Sequence, residues 1–83
     1  MSRAIKWTPR AEHDLARLDR RTRERIRQAV YRLAGEGRGD VRPVEGAGRE
    51  WRLRVGRWRV RFTLQDDALV ILRVLPRGGA YKK

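Results

Sequence analysis

The sequence predicts an α+β domain of element order β-α-α-β-β-β, with a two-helix hairpin packed on one face of a small, mainly antiparallel sheet. Three observations predict it. A brief alternation, Ala4-Ile5-Lys6-Trp7, is followed by two stripes of apolar residues at helical spacing. From Trp51 to Phe62, apolar and arginine residues alternate on both sides of Gly56, as in two paired strands. Ala68 to Leu75 is almost continuously apolar, as in a strand covered on both faces. A chain of 83 residues supports one modest core, so residues 1–83 are expected to form a single domain.

The opening strand ends at Thr8-Pro9, where Thr8 suits an N-cap and Pro9 the first helical turn. Ala11, Leu15 and Leu18 then fall on one face of a first helix, while His13 lies off that stripe and is expected in solvent. Asp19 caps a second helix with a stripe of Ile26, Ala29, Val30 and Leu33 and an outer face carrying Arg20, Arg23 and Arg27. Three glycines between Gly35 and Gly39 end it, because their backbone entropy opposes helix. A long loop is expected from there to Arg49, either mobile or part of a binding surface.

A two-residue turn at Gly56-Arg57, with positive φ at Gly56 as type II′ requires, places Val55 opposite Trp58. Leu53 then pairs with Val60 and Trp51 with Phe62 on the core face, so that Trp51, Trp58 and Phe62 are expected in the core. Arg54 opposes Arg59 and Arg52 opposes Arg61 on the other face. Like charges directly opposite destabilise a sheet, so four guanidiniums on one face imply an anionic partner, either nucleic-acid backbone or an acidic protein segment. The acidic turn Asp66-Asp67 leads into the last strand, which Pro76 ends. A tight turn would put Val70, Leu72 and Val74 on the arginine face.

Lysine and arginine outnumber aspartate and glutamate by 22 to 10, giving a net charge of +12 that also implies a polyanionic partner. Arginine supplies 19 of the 22 cations, which a G+C-rich genome would also favour. There is no cysteine, so the fold needs no disulfide, and the single His13 lacks companions for a metal site. No metal or other cofactor is expected. The longest clean apolar run, Ala68 to Leu72, is too short to cross a bilayer. With no signal-peptide core at the N-terminus, a cytoplasmic location is expected.

These residues resemble the RelE/ParE-type toxins of bacterial type II toxin–antitoxin systems. Trp7-Thr8-Pro9-Arg10-Ala11 leading into a Leu-x-x-Leu-Asp helix is similar to the family's start. Trp51 to Val60 looks like its hallmark Y-R-x-R-x-G-x-Y-R-V, with tryptophans in the aromatic places, and Arg77 with Tyr81 resembles its terminal R-x-x-x-Y. The match runs over nearly the whole chain.

The resemblance implies a cationic, concave sheet face neutralised by an acidic, amphipathic antitoxin. In the RelE-like branch, the free toxin enters the ribosomal A site and cuts mRNA without metal, by attack of the 2′-hydroxyl on the adjacent phosphate. In the ParE-like branch, the same scaffold blocks DNA gyrase. By position in the motifs, Arg52, Arg54, Arg59, Arg77 and Tyr81 are the expected catalytic residues, with Arg59 and Arg77 as phosphate clamps. Tyr81 would orient the 2′-hydroxyl, stack on a base or act as a base. Arg52, Arg54, Arg57, Arg61, Lys82 and Lys83 are the expected RNA- or antitoxin-binding residues. No histidine or acid takes an obvious place as general base, since Ala80 stands where several family members carry histidine or aspartate. A non-catalytic gyrase inhibitor, an inactive relic held by its antitoxin, and a small basic RNA-binding protein are the alternatives.

Overall fold

The computed structural model describes residues 3–78. Its elements are β1 (Ala4–Trp7), α1 (Pro9–Ala16), α2 (Arg20–Glu36), β2 (Asp40–Pro43), β3 (Trp51–Val55), β4 (Trp58–Gln65) and β5 (Ala68–Pro76). The five strands form one sheet of order β1-β5-β4-β3-β2, parallel only between β1 and β5. The α+β architecture is the one expected, with one strand more than the sequence reading gave.

Both helix starts follow from their caps. The Thr8 hydroxyl accepts from the Ala11 amide at 3.2 Å, and the Asp19 carboxylate accepts from the Thr22 amide at 3.3 Å. Gly37 ends α2 with φ +69°, a left-handed conformation that costs a residue without Cβ almost nothing. The end of α1 is fastened by Arg23, whose guanidinium donates to the carbonyls of Leu15 and Leu18 at 3.2 and 2.8 Å. Arg23 is therefore a structural cation as well as part of the outer face of α2.

The core joins Ala11 and Leu15 of α1, Ile26, Val30, Leu33 and Ala34 of α2, and the inner residues of β3, β4 and β5. Leu18 and Ala29 pack partly buried against it, so both helical stripes stand as their spacing predicts. Phe62 is buried and Trp58 packs against the core, but Trp51 remains 36% exposed. The expectation of a core Trp51 is corrected by its place at a sheet corner, opposite Pro43 at the end of a four-residue edge strand.

That edge strand, β2, lies where a long loop was expected. Its one apolar residue and its Pro43 hide it in the sequence, and proline is tolerated because the strand has a neighbour on one side only. The rest of the loop is a closed turn in which Val44 donates to Glu50 at 3.0 Å.

A bulge in the β4–β5 ladder changes the parity of the last strand. Arg61 pairs with Arg73 but Phe62 with Ile71, so Leu72 is the extra residue between them. On the turn side of the bulge Val70 lies opposite Thr63, on the arginine face as expected; beyond it Leu75 lies opposite Arg59, whereas Val74 pairs with Val60 and is buried. Val74 is thus a core residue rather than part of the arginine face, because the bulge advances the alternation by one position.

Where β1 ends, α1 and its N-cap take over the open edge of β5. Thr8 donates its hydroxyl to Ile71 at 2.8 Å, and Asp14 accepts from the Val74 amide at 2.8 Å and from Arg73 Nε and Nη2 at 2.9 and 3.2 Å. Burial alone would raise the Asp14 pKa. The bonds from Arg73 and Val74, with the charge of Arg73, outweigh it and hold the carboxyl below its ordinary value, while the pKa of Arg73 rises through the same hydrogen bond. Among the described residues, no helix is long and apolar enough to cross a membrane.

Candidate functional site

The arginine hairpin has the register that its alternation predicts. Val55 pairs with Trp58, Leu53 with Val60, Trp51 with Phe62, Arg54 with Arg59 and Arg52 with Arg61. Gly56 has φ +59° while Arg57 is not among the positive-φ residues, a combination that fits type II′ and excludes type I′. Strand β2 extends this face, because Asp40 pairs with Arg54 and Arg42 with Arg52.

Two cross-strand rows result. One runs Asp40, Arg54, Arg59, Leu75, and the other Arg42, Arg52, Arg61, Arg73. Carboxylates hold the far end of the second row: Glu50 forms an ion pair with Arg61, and Asp14 with Arg73. Arg61 therefore lies on the expected face but is engaged by Glu50 within the fold.

The first row centres on Arg59, which is only 6% exposed. Its Nη1 donates to the carbonyls of Gly56 and Trp58, each at 3.0 Å, which lays the guanidinium along the turn. Its Nε is buried without a hydrogen-bond partner among the described residues. Burial, and then the positive charges of Arg54, Arg52 and Arg77, lower the pKa of Arg59 from its ordinary value, with Asp40 acting in the opposite sense. A buried guanidinium short of one partner and surrounded by like charges is a site for an anion.

Arg54 and Arg59 form the wall between two concavities. One, of about 300 Å³, is lined by Asp40, Arg42, Arg52, Arg54 and Arg59. The other, of about 590 Å³, lies towards Arg57, Pro76 and Arg77. Arg77 is brought there by its amide, which donates to the Arg57 carbonyl at 2.7 Å and ties the end of β5 to the hairpin turn. Arg52, Arg54, Arg59 and Arg77 are thus brought together, with Arg57 at the rim. Tyr81, Lys82 and Lys83 lie outside the described residues.

Sequence reasoning missed Arg42 and Asp40, both on β2, and the Asp40 carboxylate lies 3.9 Å from Arg42 Nε and 4.0 Å from Arg54 Nη1. Only recognition of β2 could have found them, since its register with β3 brings them to the site. Among the described residues, no group of three or more histidine, cysteine or acidic side chains is placed to hold a metal ion. The chemistry this arrangement offers is the binding of phosphate or carboxylate and the stabilisation of charge that develops on it.

Residues 5–81 match the family model described as the ParE toxin of the type II toxin–antitoxin system parDE. Among solved structures, the chain is similar to one in the RelBE2 toxin–antitoxin complex of Mycobacterium tuberculosis, with 25% identity, TM-score 0.81, and coverage of 93% of this chain and 100% of that one. It is also similar to a chain of the archaeal RelE–RelB complex of Pyrococcus horikoshii, with 27% identity, TM-score 0.77, and coverage of 94% and 98%. A chain of the Escherichia coli DinJ–YafQ complex shares the fold at 14% identity and TM-score 0.77, with coverage of 99% and 100%. Among curated proteins, none matches the sequence significantly.

Proposed function

Because the chain belongs to the ParE toxin family of type II toxin–antitoxin systems, we propose that it is a toxin whose arginine concavity binds the mRNA backbone on the ribosome and cleaves it. The observation that carries this reading is Arg59, a guanidinium 6% exposed, with an unpartnered Nε and like charges on both sides. A phosphate seated there supplies the missing acceptor and relieves the repulsion in one step. During in-line attack by the 2′-hydroxyl, negative charge grows on the phosphate oxygens. Arg59, Arg54, Arg52 and Arg77 are then already in place to stabilise it, with no reorganisation needed at the moment of reaction. Holding the chain bent for that attack contributes further, since alignment of the reacting atoms converts binding into rate.

The same surface suits an acidic antitoxin. Its carboxylates would pair with the half-exposed Arg54 and Arg42 and block access to Arg59, so inhibitor and substrate compete for one set of cations. This reading places the protein's action in the cytoplasm, where the ribosomes are.

The test is induction from a tight promoter with mapping of mRNA 5′ ends. New ends within translated codons are expected for the wild type. They should be absent, together with growth arrest, in folded Arg59→Ala and Arg77→Ala variants. Arrest that persists in both variants would remove the proposed site. The family model that matches is named for ParE, so a second reading is the one that the ParE-like resemblance implies, inhibition of DNA gyrase. Arrest with unchanged mRNA ends and accumulating gyrase-linked DNA breaks would decide for it.

A further inference from the structure

We propose that Asp40 is the general base of the cleavage reaction, removing the proton from the 2′-hydroxyl of an RNA whose phosphate sits on Arg59. The inference rests on the nuclease reading above and supplies the proton acceptor that the arginines cannot be, since a guanidinium holds its proton too tightly.

Three observations support it. Among the described residues, Asp40 contributes the only carboxylate lining the concavity that also holds Arg52, Arg54 and Arg59. The acids nearest the second arginine row are committed elsewhere, Glu50 to Arg61 and Asp14 to Arg73 and Val74. Asp40 is held more loosely. Its side chain is 50% exposed, and its ion pairs with Arg42 and Arg54, at 3.9 and 4.0 Å, are too long to be hydrogen bonds, so its oxygens keep room for a hydroxyl donor.

The register supplies the spacing. Asp40 and Arg59 stand in one cross-strand row with Arg54 between them. At roughly 4.8 Å per strand, their backbones lie about 10 Å apart. Both residues line the concavity of about 300 Å³, which can take one ribose and its 3′-phosphate with Asp40 at the hydroxyl and Arg59 at the phosphate.

The step balances without any cofactor. Asp40 takes the 2′-hydroxyl proton as the 2′-oxygen bonds to phosphorus, and the bond from phosphorus to the 5′-oxygen of the next nucleotide breaks. Solvent water protonates that leaving oxygen, and the hydroxide so formed takes the proton back from Asp40. The products are a 2′,3′-cyclic phosphate and a 5′-hydroxyl.

The role has a signature that a merely electrostatic one lacks. Removing Asp40 also removes a negative charge from a cationic site, so RNA binding should hold or tighten while turnover falls. The experiment is single-turnover cleavage of a defined mRNA codon on programmed ribosomes by wild type, Asp40→Asn, Asp40→Ser and Asp40→Glu. A substrate with a 2′-deoxy nucleotide at the cut serves as the blank. Asp40→Asn and Asp40→Ser should slow the cleavage step by about 10²–10⁴-fold with KM unchanged or lower, and Asp40→Glu should recover part of the rate. Asparagine fits a half-exposed edge position without repacking, and unchanged melting curves will show that the fold is intact. Asparagine and serine variants that cut at the wild-type rate would overturn the role of Asp40 and leave the nuclease reading standing. A wild-type protein that leaves the ribosome-bound mRNA uncut would overturn both.

Discussion

Replacing Asp14 by alanine removes one carboxylate and orphans two elements of the fold at once. Arg73 loses a bidentate partner at 2.9 and 3.2 Å, and the Val74 amide loses its acceptor at 2.8 Å. Breaking a fully buried pair costs about 3–5 kcal/mol. Here the Arg73 side chain is 31% exposed and stays partly hydrated, which lowers the figure to about 2–3 kcal/mol. For a domain of this size that is a fall in Tm of roughly 8–24 °C, at about 4–8 °C per kcal/mol. Asparagine keeps an acceptor for the Val74 amide, so Asp14→Asn should cost about half as much. The pH dependence has a fixed sign. A carboxyl whose folded pKa lies below its unfolded value stabilises fully above the unfolded pKa, and that contribution disappears as pH falls through the folded pKa. The gap in Tm between wild type and Asp14→Asn should therefore be full at neutral pH and close as the solution is acidified below about pH 4. Thermal melts followed by circular dichroism measure both quantities. A fall of less than about 3 °C for Asp14→Ala at neutral pH, against the roughly 8–24 °C expected, would refute this account of the β5 edge. So would a gap that stays constant in acid.

Arg59→Met should abolish growth arrest while leaving Tm unchanged or raised, because exchanging a buried, repelled cation for an apolar chain removes a desolvation cost of about the same size as the two bonds it loses. Melting and induction assays on the same variant test that separation. Gly56→Ala forces a Cβ onto a φ of +59°, at a cost of about 1–2 kcal/mol, and brings it to 3.0 Å from the guanidinium of Arg25, an exposed, long side chain that can move aside. Its Tm should fall by roughly 4–16 °C at about 4–8 °C per kcal/mol, and an unchanged melt would show that the turn tolerates another conformation.

Legibility in the sequence followed the range over which each signal acts. Caps, helical stripes and the arginine hairpin are local patterns, and Thr8, Asp19, Gly56 and the pairing of Arg54 with Arg59 all stand as read. Strand β2 was not legible because Asp40-Val41-Arg42-Pro43 is a strand by virtue of its neighbour, not of its own residues. The bulge at Leu72 left no mark either, since a nearly continuous apolar run looks the same in either parity. Asp14 and Arg73 meet across 59 positions of sequence, where no periodicity applies. The candidate site was legible as to Arg52, Arg54 and Arg59, which share one hairpin, and illegible as to Arg42 and Asp40, which arrive on the unrecognised strand.

The bond from the Arg77 amide to the Arg57 carbonyl has a practical consequence for anyone handling the protein. It fixes the point from which the chain continues beyond Gly78 at the mouth of the arginine concavities. The opposite terminus is moored elsewhere, where the Arg3 amide bonds to the carbonyl of Ala34, about 13 Å along α2 from Arg25 beside the turn. An affinity handle or fluorescent fusion should therefore be attached on the N-terminal side. On the proposed reading, one carried on the chain that leaves Gly78 would compete for the cations beside it, and its bulk would imitate inhibition.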